Sequence, residues 1–293
     1  MPNKRIGTLL VSFLALTLSV ATSAVPAQAV LKSIDVPNAT ETDCNDINTA
    51  GTIVGFYVDS SGIDHGFVLV NGKFTTVDVP GATGTLLYGI NNHNVAVGWY
   101  TDSSDVTHGF SINAAMQVTT IDPPGTEFTN AWGINDNGKI VGTYIDSSSG
   151  QYTGFILVNG TYTTYTAPNG AILTEFTGVN NKGAMVGIFD DSSGVEHGFA
   201  LAGGTQFFQI DDPNADGVVT ATDRINDSGE YVGLWGTSTS GPFSGYHARN
   251  NVFTTIMFPN STETRTRGIN NAGAVVGRYT DQSGVIHGYA GQP

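Results

Sequence analysis

A unit of about 44 residues recurs six times along the chain, and this repeat constrains the fold more than any other feature. An Ile-Asn or Val-Asn step marks each unit and recurs at intervals of 43, 44, 45, 46 and 44 residues. The first residues of these steps are Ile47, Ile90, Ile134, Val179, Ile225 and Ile269. A Val-Gly pair, a Gly-aromatic pair and a Pro recur in the same phase. Four markers in one phase across residues 30–293 indicate a repeat architecture.

Each unit contains the pattern of four short strands. In the second unit these are YGIN, VAVGWYTD, HGFSIN and QVTTIDP, separated by turns rich in Asn, Asp, Gly and Ser. Such residues favour tight hairpin turns. Four strands in a unit of this length are typical of a β-propeller blade, with a linear solenoid as the alternative.

The two ends of the repeat region favour the propeller. The last unit ends at HGYAGQP, after its third strand, whereas VLKSIDVPN at residues 30–38 matches the fourth-strand pattern KFTTVDVPG. A sheet built from both ends leaves a ring without an open edge, and a solenoid gains nothing from it. We therefore predict an all-β fold. It is a single six-bladed β-propeller of residues 30–293, with four-stranded blades and a ring closed by the N-terminal strand.

Residues 1–29 have the pattern of a secretory signal peptide. Lys4 and Arg5 precede an apolar run at residues 6–21, and Ala-Gln-Ala at residues 27–29 is a small-residue cleavage site. The run is short for a bilayer span. We predict cleavage near Ala29, a secreted or periplasmic protein and no membrane insertion.

Charge and cysteine content exclude several classes of protein. The net charge of −14 argues against nucleic acid as a partner, because that binding needs Lys and Arg to neutralise phosphates. Cys44 is the single cysteine, which excludes a disulfide framework and a thiolate-built zinc site. We expect a monomer without a nucleotide or organic cofactor.

The last unit reads GINNAGAVVGRYTDQSGVIHGY, and the third reads GINDNGKIVGTYIDSSSGQYTGF. This GINNxGxVVG…HGF pattern resembles the bacterial extracellular repeats of the HAF family, and the resemblance covers residues 30–293. The middle Ala of the family pattern is Gly throughout this chain, and its His is absent from the third and fifth units. The resemblance implies an exported propeller and implies no reaction.

Positions that break the repeat are the better functional candidates, because repeated residues hold the frame. Two residues before each marker stand Asn45, Tyr88, Trp132, Thr177, Asp223 and Arg267. Four residues before it stand Asp43, Leu86, Asn130, Glu175, Ala221 and Arg265. Directly before it, Gly occupies four units, whereas Asp46 and Arg224 occupy the other two. We expect these side chains near the mouth of the channel.

These residue types suit recognition of a polar ligand. Tyr88 and Trp132 offer faces for a sugar ring, and the arginines offer paired donors to a carboxylate or phosphate. The predicted ligand-binding residues are Tyr88, Asn130, Trp132, Glu175, Arg224, Arg265 and Arg267. In the alternative interpretation these side chains pack between blades and form ion pairs, for example with Asp43 and Asp223.

Four histidines recur in register, at His65, His108, His197 and His287. Because they lie in different blades, we predict structural roles, with each histidine hydrogen-bonded to its own Asp-Ser-Ser-type loop.

Residues 212–223 read DPNADGVVTATD and resemble the calcium loops of EF-hands and dockerins. Carboxylate and amide oxygens on a tight Gly turn are ligands that Ca²⁺ prefers. The predicted ligands are Asp212, Asn214, Asp216, the Val218 carbonyl and Asp223. The alternative is an acidic surface loop.

Two functions remain open. The first is an exported binding module for a glycan, a cell-surface component or a protein, because no nucleophile–base pair is recognisable. The second is a polysaccharide or lactone hydrolase or lyase on the same fold. For the enzyme, the candidate catalytic residues are Asp43, Tyr88, Glu175, Asp223, Arg265 and Arg267.

Overall fold

The computed structural model of the protein describes residues 30–293, and the predicted signal peptide lies outside the described residues. This part of the chain forms 24 β-strands and one short 3-10 helix, Pro213–Ala215. No helix within residues 30–293 has the length and apolar character needed to cross a bilayer.

Every unit contributes strands in the same order. The first strands are β2 (Glu41–Ile47), β6 (Gly84–Ile90), β10 (Thr126–Ile134), β14 (Leu173–Val179), β18 (Val219–Ile225) and β22 (Glu263–Ile269). The second strands are β3 (Ile53–Val58), β7 (Ala96–Thr101), β11 (Ile140–Asp146), β15 (Met185–Asp190), β19 (Tyr231–Gly236) and β23 (Val275–Thr280). The third strands are β4 (Asp64–Val70), β8 (Thr107–Ile112), β12 (Tyr152–Val158), β16 (Glu196–Ala202), β20 (Ser244–Arg249) and β24 (Ile286–Gln292). The fourth strands are β5 (Lys73–Val77), β9 (Val118–Ile121), β13 (Thr161–Tyr165), β17 (Gln206–Ile210), β21 (Val252–Ile256) and β1 (Val30–Ile34).

The strands form three eight-stranded sheets, and each sheet consists of two antiparallel four-stranded groups. A single parallel bridge joins the two groups of a sheet, as between Glu41 and Ile286. The other two bridges join Phe128 to Thr107 and Glu196 to Val219. The fold is therefore all-β and propeller-like, as the repeat predicted.

Strand β1 completes the last unit. It pairs antiparallel with β24, so that Val30 lies opposite Gln292 and Ile34 lies opposite Gly288. This pairing confirms that the fourth strand missing after HGYAGQP is supplied by the segment that begins at Val30.

The Val-Gly and Gly-aromatic markers meet in the core of each unit. The aromatic side chains of the third strands have no exposed surface, and they are Phe67, Phe110, Phe155, Phe199, Tyr246 and Tyr289. In the first unit, a Cβ added to Gly55 would lie 1.9 Å from the Asp43 carbonyl oxygen and 2.9 Å from the Phe67 ring. The second strand therefore needs Gly where the first and third strands approach it.

The marker asparagines tie neighbouring units together. Each side-chain amide donates to the backbone carbonyl of the corresponding asparagine in the next unit, at 3.0–3.2 Å. The donors, in order, are Asn48, Asn91, Asn135, Asn180, Asn226 and Asn270. The last of them, Asn270, donates to the carbonyl of Asn48, so the six hydrogen bonds form a cycle. We call these six residues the asparagine ring.

The residue after each ring asparagine forms a second set of links. The Asn92 side chain accepts from Thr49 N at 2.9 Å, and the Asp136 carboxylate accepts from Asn92 N at 2.7 Å. Asn181 and Asp227 continue this pattern in the next units. The second Asn or Asp of the repeat motif therefore also holds adjacent units together.

Candidate functional site

The principal cavity lies where the first strands of the fourth, fifth and sixth units begin. Its volume is about 370 Å³. We call it the mouth cavity, and its lining residues are Trp132, Glu175, Thr177, Ile188, Asp190, Gly194, Glu196, Val219, Ala221, Asp223, Leu234, Thr239, Phe243, Arg265 and Arg267. Seven of the residues at the broken repeat positions therefore line one cavity: Trp132, Glu175, Thr177, Ala221, Asp223, Arg265 and Arg267. Five of them were named as candidate ligand-binding or catalytic residues, namely Trp132, Glu175, Asp223, Arg265 and Arg267.

A β-bulge in each first strand presents the residue two before the marker. The pairing register with the second strand shifts in all six units, for example between Thr222 and Arg224 and between Thr266 and Gly268. The residues inside these two shifts are Asp223 and Arg267, which line the mouth cavity. A bulge leaves its residue outside the ladder and re-aims the side chain, which explains why this position is free to vary.

Two glutamates give the cavity its acidity. Burial, and next the neighbouring carboxylates of Glu196, Asp190 and Asp223, together raise the pKa of Glu175 to about 7. Burial likewise raises the pKa of Glu196 to about 7, with Asp190 and Asp223 adding to the effect. Burial also raises the pKa of Asp190. Among the described residues, none of these three side chains has a salt-bridge partner.

The two arginines of the cavity are each held by a carboxylate. Arg267 Nη1 lies 3.3 Å from Asp223 Oδ1, and Arg265 Nε lies 2.6 Å from Glu263 Oε1. The Arg265 guanidinium also lies over the Phe243 ring, 4.6 Å from its centroid, in a cation–π contact. The pairing of Arg267 with Asp223 agrees with the structural alternative for these two residues, although both still line the cavity.

An aromatic cluster adjoins the cavity. The Tyr88 and Trp99 rings stack at 4.1 Å, and Trp132 meets Tyr88 edge-on at 4.5 Å. Tyr88 itself does not line the cavity, so its role is to support Trp132. Burial raises the pKa of the Tyr88 hydroxyl, which makes it a poor proton donor at neutral pH.

Arg224 does not line the mouth cavity but bridges several first strands. Its guanidinium donates to the backbone carbonyls of Tyr88, Trp132, Thr177 and Asp223, which belong to four successive first strands. Its Nε lies 3.3 Å from Asp46 Oδ2. The two residues that replace Gly before the marker therefore form one buried ion pair.

The remaining predicted residues lie outside the cavity. Asp43 is 1% exposed, and its Oδ2 lies 3.6 Å from Arg278 Nη1. Asn130 is 6% exposed, and its Oδ1 has no hydrogen-bond partner within the described chain. Asp43 therefore does not line the cavity with Glu175 as the enzyme hypothesis would need, and Asn130 does not line it as a ligand-binding residue.

The four repeat histidines each lie between two aspartates. Nδ1 is 2.7–2.9 Å from an aspartate next to a fourth strand, and Nε2 is 3.5–3.7 Å from the aspartate that opens the adjacent loop. The loop aspartates are Asp59, Asp102, Asp191 and Asp281. The hydrogen bond of each histidine therefore goes to the aspartate next to a fourth strand. The predicted hydrogen bond to its own loop is present only for His287, at 3.5 Å, and the other three loop aspartates are contacts of 3.6–3.7 Å.

The segment with the calcium-loop pattern is organised by local hydrogen bonds. Asp212 Oδ1 accepts from the backbone and side-chain nitrogens of Asn214 at 2.8 and 2.9 Å. Asp216 is exposed, with a φ of 53°, and Asp223 lies in β18 against Arg267. Residues 30–293 contain no group of three or more His, Cys, Asp or Glu side chains arranged to hold a metal ion. The calcium site therefore stays a prediction from the pattern.

Eight of the lining residues were not among those predicted, and the charged or aromatic ones among them are Asp190, Glu196 and Phe243. A signal for two of them exists at the position directly before the repeated His or its replacement. That position is as variable as the ones already considered, and it holds Asp64, Thr107, Tyr152, Glu196, Phe243 and Ile286. It opens the third strand beside the next unit, as the bridge between Glu196 and Val219 illustrates.

No protein-family model matches the chain, and no curated protein matches it. Solved structures with a similar fold do exist. A mutant of the Aleuria aurantia lectin in complex with α-methyl-L-fucoside is 7% identical, with a TM-score of 0.53, covering 88% of this chain and 93% of that chain.

Two further structures carry other functions. A gluconolactonase from Xanthomonas campestris is 12% identical, with a TM-score of 0.51 and 90% coverage of each chain. The β-propeller domain of the Trilobed protease from Pyrococcus furiosus is 11% identical, with a TM-score of 0.51, covering 86% of this chain and 94% of that chain. At these identities the similarities show the propeller-like fold alone.

Proposed function

We propose that the protein is an exported six-bladed β-propeller that recognises a carbohydrate at the mouth cavity. The observation that carries the proposal is the cavity itself. It joins the Trp132 and Phe243 rings to carboxylates and guanidinium groups, on a frame whose repeated residues serve the fold. Carbohydrate-binding pockets need this combination, because a sugar offers an apolar ring face and a rim of hydroxyl groups.

The six-bladed ring is the finer part of the proposal. Its support is the division of each sheet into two four-stranded groups, the pairing of β1 with β24, and the cycle of hydrogen bonds that returns from Asn270 to Asn48. The lectin and the protease domain supply the fold precedent.

The cavity residues have distinct roles in this proposal. The Trp132 ring packs against the sugar face, while the Glu175 and Glu196 carboxyl groups bond to hydroxyl groups. Arg265 donates through the nitrogens that Glu263 leaves free.

A glycan array followed by calorimetry tests the proposal. We expect at least one oligosaccharide class to bind, and we expect Trp132→Ala to weaken it by about tenfold or more. Glu175→Gln, which keeps size and shape, should weaken it as well. Phe208→Ala is the matched control, because Phe208 is 47% exposed and lies outside the cavity. Binding that is unchanged in both cavity variants would overturn the assignment of the site.

A hydrolase acting on a glycoside or lactone is the second candidate, and one observation favours it. A carboxyl group with a pKa of about 7, as for Glu175 and Glu196, suits general acid catalysis at neutral pH. The gluconolactonase is a precedent for the fold only. Release of product from an array-positive oligosaccharide or from an aldonolactone, lost in Glu175→Gln, would support the enzyme. Binding without turnover would support the recognition module.

Export, membership of the HAF-type repeats and the monomeric state belong to the same proposal. Expression of the full chain in a bacterium, with N-terminal sequencing of the exported product, tests whether the mature protein begins at Val30. Light scattering of that product tests the monomer. For the calcium loop, a rise in melting temperature with calcium that is lost in Asp212→Ala and Asp216→Ala would support a metal site.

A further inference from the structure

The mouth cavity has an excess of negative charge that its own arginines do not balance. Four carboxylates line it, against two guanidinium groups. Both guanidinium groups are already engaged, Arg267 by Asp223 and Arg265 by Glu263. Glu175, Asp190 and Glu196 are left without a cationic partner among the described side chains. A ligand that enters the cavity meets three carboxyl groups that have no salt-bridge partner in the described structure.

This acidity is partly held out of water, because Glu175, Asp190 and Glu196 are each half-buried. Burial, and next the neighbouring carboxylates, raise the pKa of both Glu175 and Glu196, although Arg265 and Arg267 lower that of Glu196 in part. Buried carboxylates that lack partners are unfavourable in the empty protein, because each loses hydration without gaining a counter-charge. A bound cation would supply that counter-charge.

A separate observation points to a ligand at the same place. Asp223 is 7% exposed and lines the cavity, yet only its Oδ1 reaches Arg267. Its Oδ2 has no hydrogen-bond partner in the described structure, and the same holds for the indole Nε1 of Trp132. Buried polar atoms without partners are rare in native structures and call for an explanation. A donor group on a ligand would satisfy the Asp223 oxygen.

We infer that the mouth cavity selects a carbohydrate that carries a free, protonated amino group, with the ammonium placed among the Glu175, Glu196 and Asp223 carboxylates and the sugar ring against Trp132. This inference rests on the proposed carbohydrate-binding function and adds the class of sugar. The four-carboxylate lining disfavours uronic acids and sulfated sugars, because a second anion here would be repelled.

Proton release is a consequence of this mode of binding. An ammonium group stabilises the ionised forms of Glu175 and Glu196, so their pKa values fall when the ligand binds. At about pH 6, below the usual pKa of an amino group, the ligand is charged while both glutamates of the free protein are largely protonated. Binding at this pH must therefore release protons to the buffer.

The test uses three matched tetrasaccharides that differ only at C2 of each residue: the β-1,4-linked oligomers of glucosamine, N-acetylglucosamine and glucose. Calorimetry is carried out at about pH 6 in two buffers of different ionisation enthalpy, which measures the protons released. We expect the glucosamine oligomer to bind at least about tenfold more tightly than the other two, with proton release. We expect the double variant Glu175→Gln/Glu196→Gln to bind all three within about threefold of one another, without proton release.

Glu127→Gln is the control variant, because Glu127 is exposed and lies outside the cavity. It should keep the preference, and thermal melts establish that all variants are folded. Equal binding of the three oligomers to the wild-type protein would overturn the inference and leave the proposed function standing. A stronger N-acetylglucosamine oligomer would overturn it in the same way. If none of the three binds while the glycan array identifies another class, the inference fails alone; if the array is also blank, the proposed function fails with it.

Discussion

The buried ion pair between Arg224 and Asp46 leads to a quantitative prediction about the stability of the fold. Arg224 and Asp46 are the two residues that replace Gly directly before the marker, and their side chains are 8% and 10% exposed. In Arg224→Gly, the residue reverts to the one found in four other units. We predict that this reversion to the repeat pattern strongly destabilises the protein, although a comparison of units would suggest the opposite.

The magnitude follows from what the guanidinium leaves behind. Its removal strands the Asp46 carboxylate, whose pKa is raised by burial even though Arg224 lowers it. It also leaves four buried carbonyls with one donor fewer each. Removing one partner of a buried ion pair costs about 3–5 kcal/mol. This is about a fifth or more of the stability of a typical domain and corresponds to a fall in melting temperature of roughly 6–20 °C.

The assay is urea unfolding of the two single variants and of Asp46→Gly/Arg224→Gly, which carries Gly in all six units. Because the double variant strands no charge, its loss should be smaller than the sum of the single losses by at least about 2 kcal/mol. The loss in free energy of unfolding caused by Arg224→Gly should also be smaller in acid. The pKa of Asp46 is raised in the fold, so its protonated form is favoured there, and the cost of an unpaired charge appears only as the pH rises. A single-variant loss below about 1 kcal/mol, or strict additivity, would refute the reasoning.

Three further predictions concern the ring, the histidines and the mouth cavity. Asn135→Ala should lower the free energy of unfolding in urea by about 2–3 kcal/mol, because the Asn180 carbonyl and the backbone amides of Asn137 and Lys139 lose their partner. Asn137→Ala, at an exposed position, should change it by no more than about 0.5 kcal/mol. In an NMR titration, His65 should titrate above the usual histidine pKa, because its two aspartates outweigh partial burial, and His247 should titrate below it because of burial. The stabilisation from His65 is present in acid and is lost as pH rises through its raised pKa. A normal pKa for both histidines would contradict this account. Glu175→Gln should stabilise the protein at about pH 8 by about 1 kcal/mol and have little effect at about pH 5. The reason is that the carboxyl group favours its neutral form until the pH rises through about 7. A loss of stability at the higher pH would show that the carboxylate is well solvated.

The sequence predicted the frame well because a repeat reports the same physical requirement several times. Gly55 and its counterparts are fixed by a carbonyl about 2 Å from where a Cβ would lie, and Phe67 by a fully buried pocket. Such constraints apply in every unit, so they are visible as periodicity. The pairing of Val30–Ile34 with β24 was predictable for the same reason, since the missing and the extra strand share one pattern.

The site was predicted in part, because its residues occur once and follow no period. Trp132 and Glu175 were found as breaks in the repeat. Nothing in the sequence distinguishes such a residue, which lines the cavity, from one such as Arg224 that bonds to the backbone of neighbouring strands. Arg224 was grouped with Arg265 and Arg267 on residue type. It stands one position later in its unit than Arg267 does, and its guanidinium bonds to backbone carbonyls and pairs with Asp46 instead of lining the cavity. Glu196 was missed because it precedes one of the repeated histidines on a third strand, and only positions on the first strands were compared between units.

The pairing of β1 with β24 has a consequence for the order in which the protein is made. His287 in β24 bonds to Asp35, which follows β1, and these two residues are 252 positions apart in the chain. At about 5–20 residues per second, a ribosome needs roughly 10–50 s to travel that distance. Throughout this interval Val30–Ile34 is an unpaired strand with open hydrogen-bonding groups, although it is the first strand of the repeat region to be synthesised. The last unit therefore cannot be completed until β24 has been synthesised.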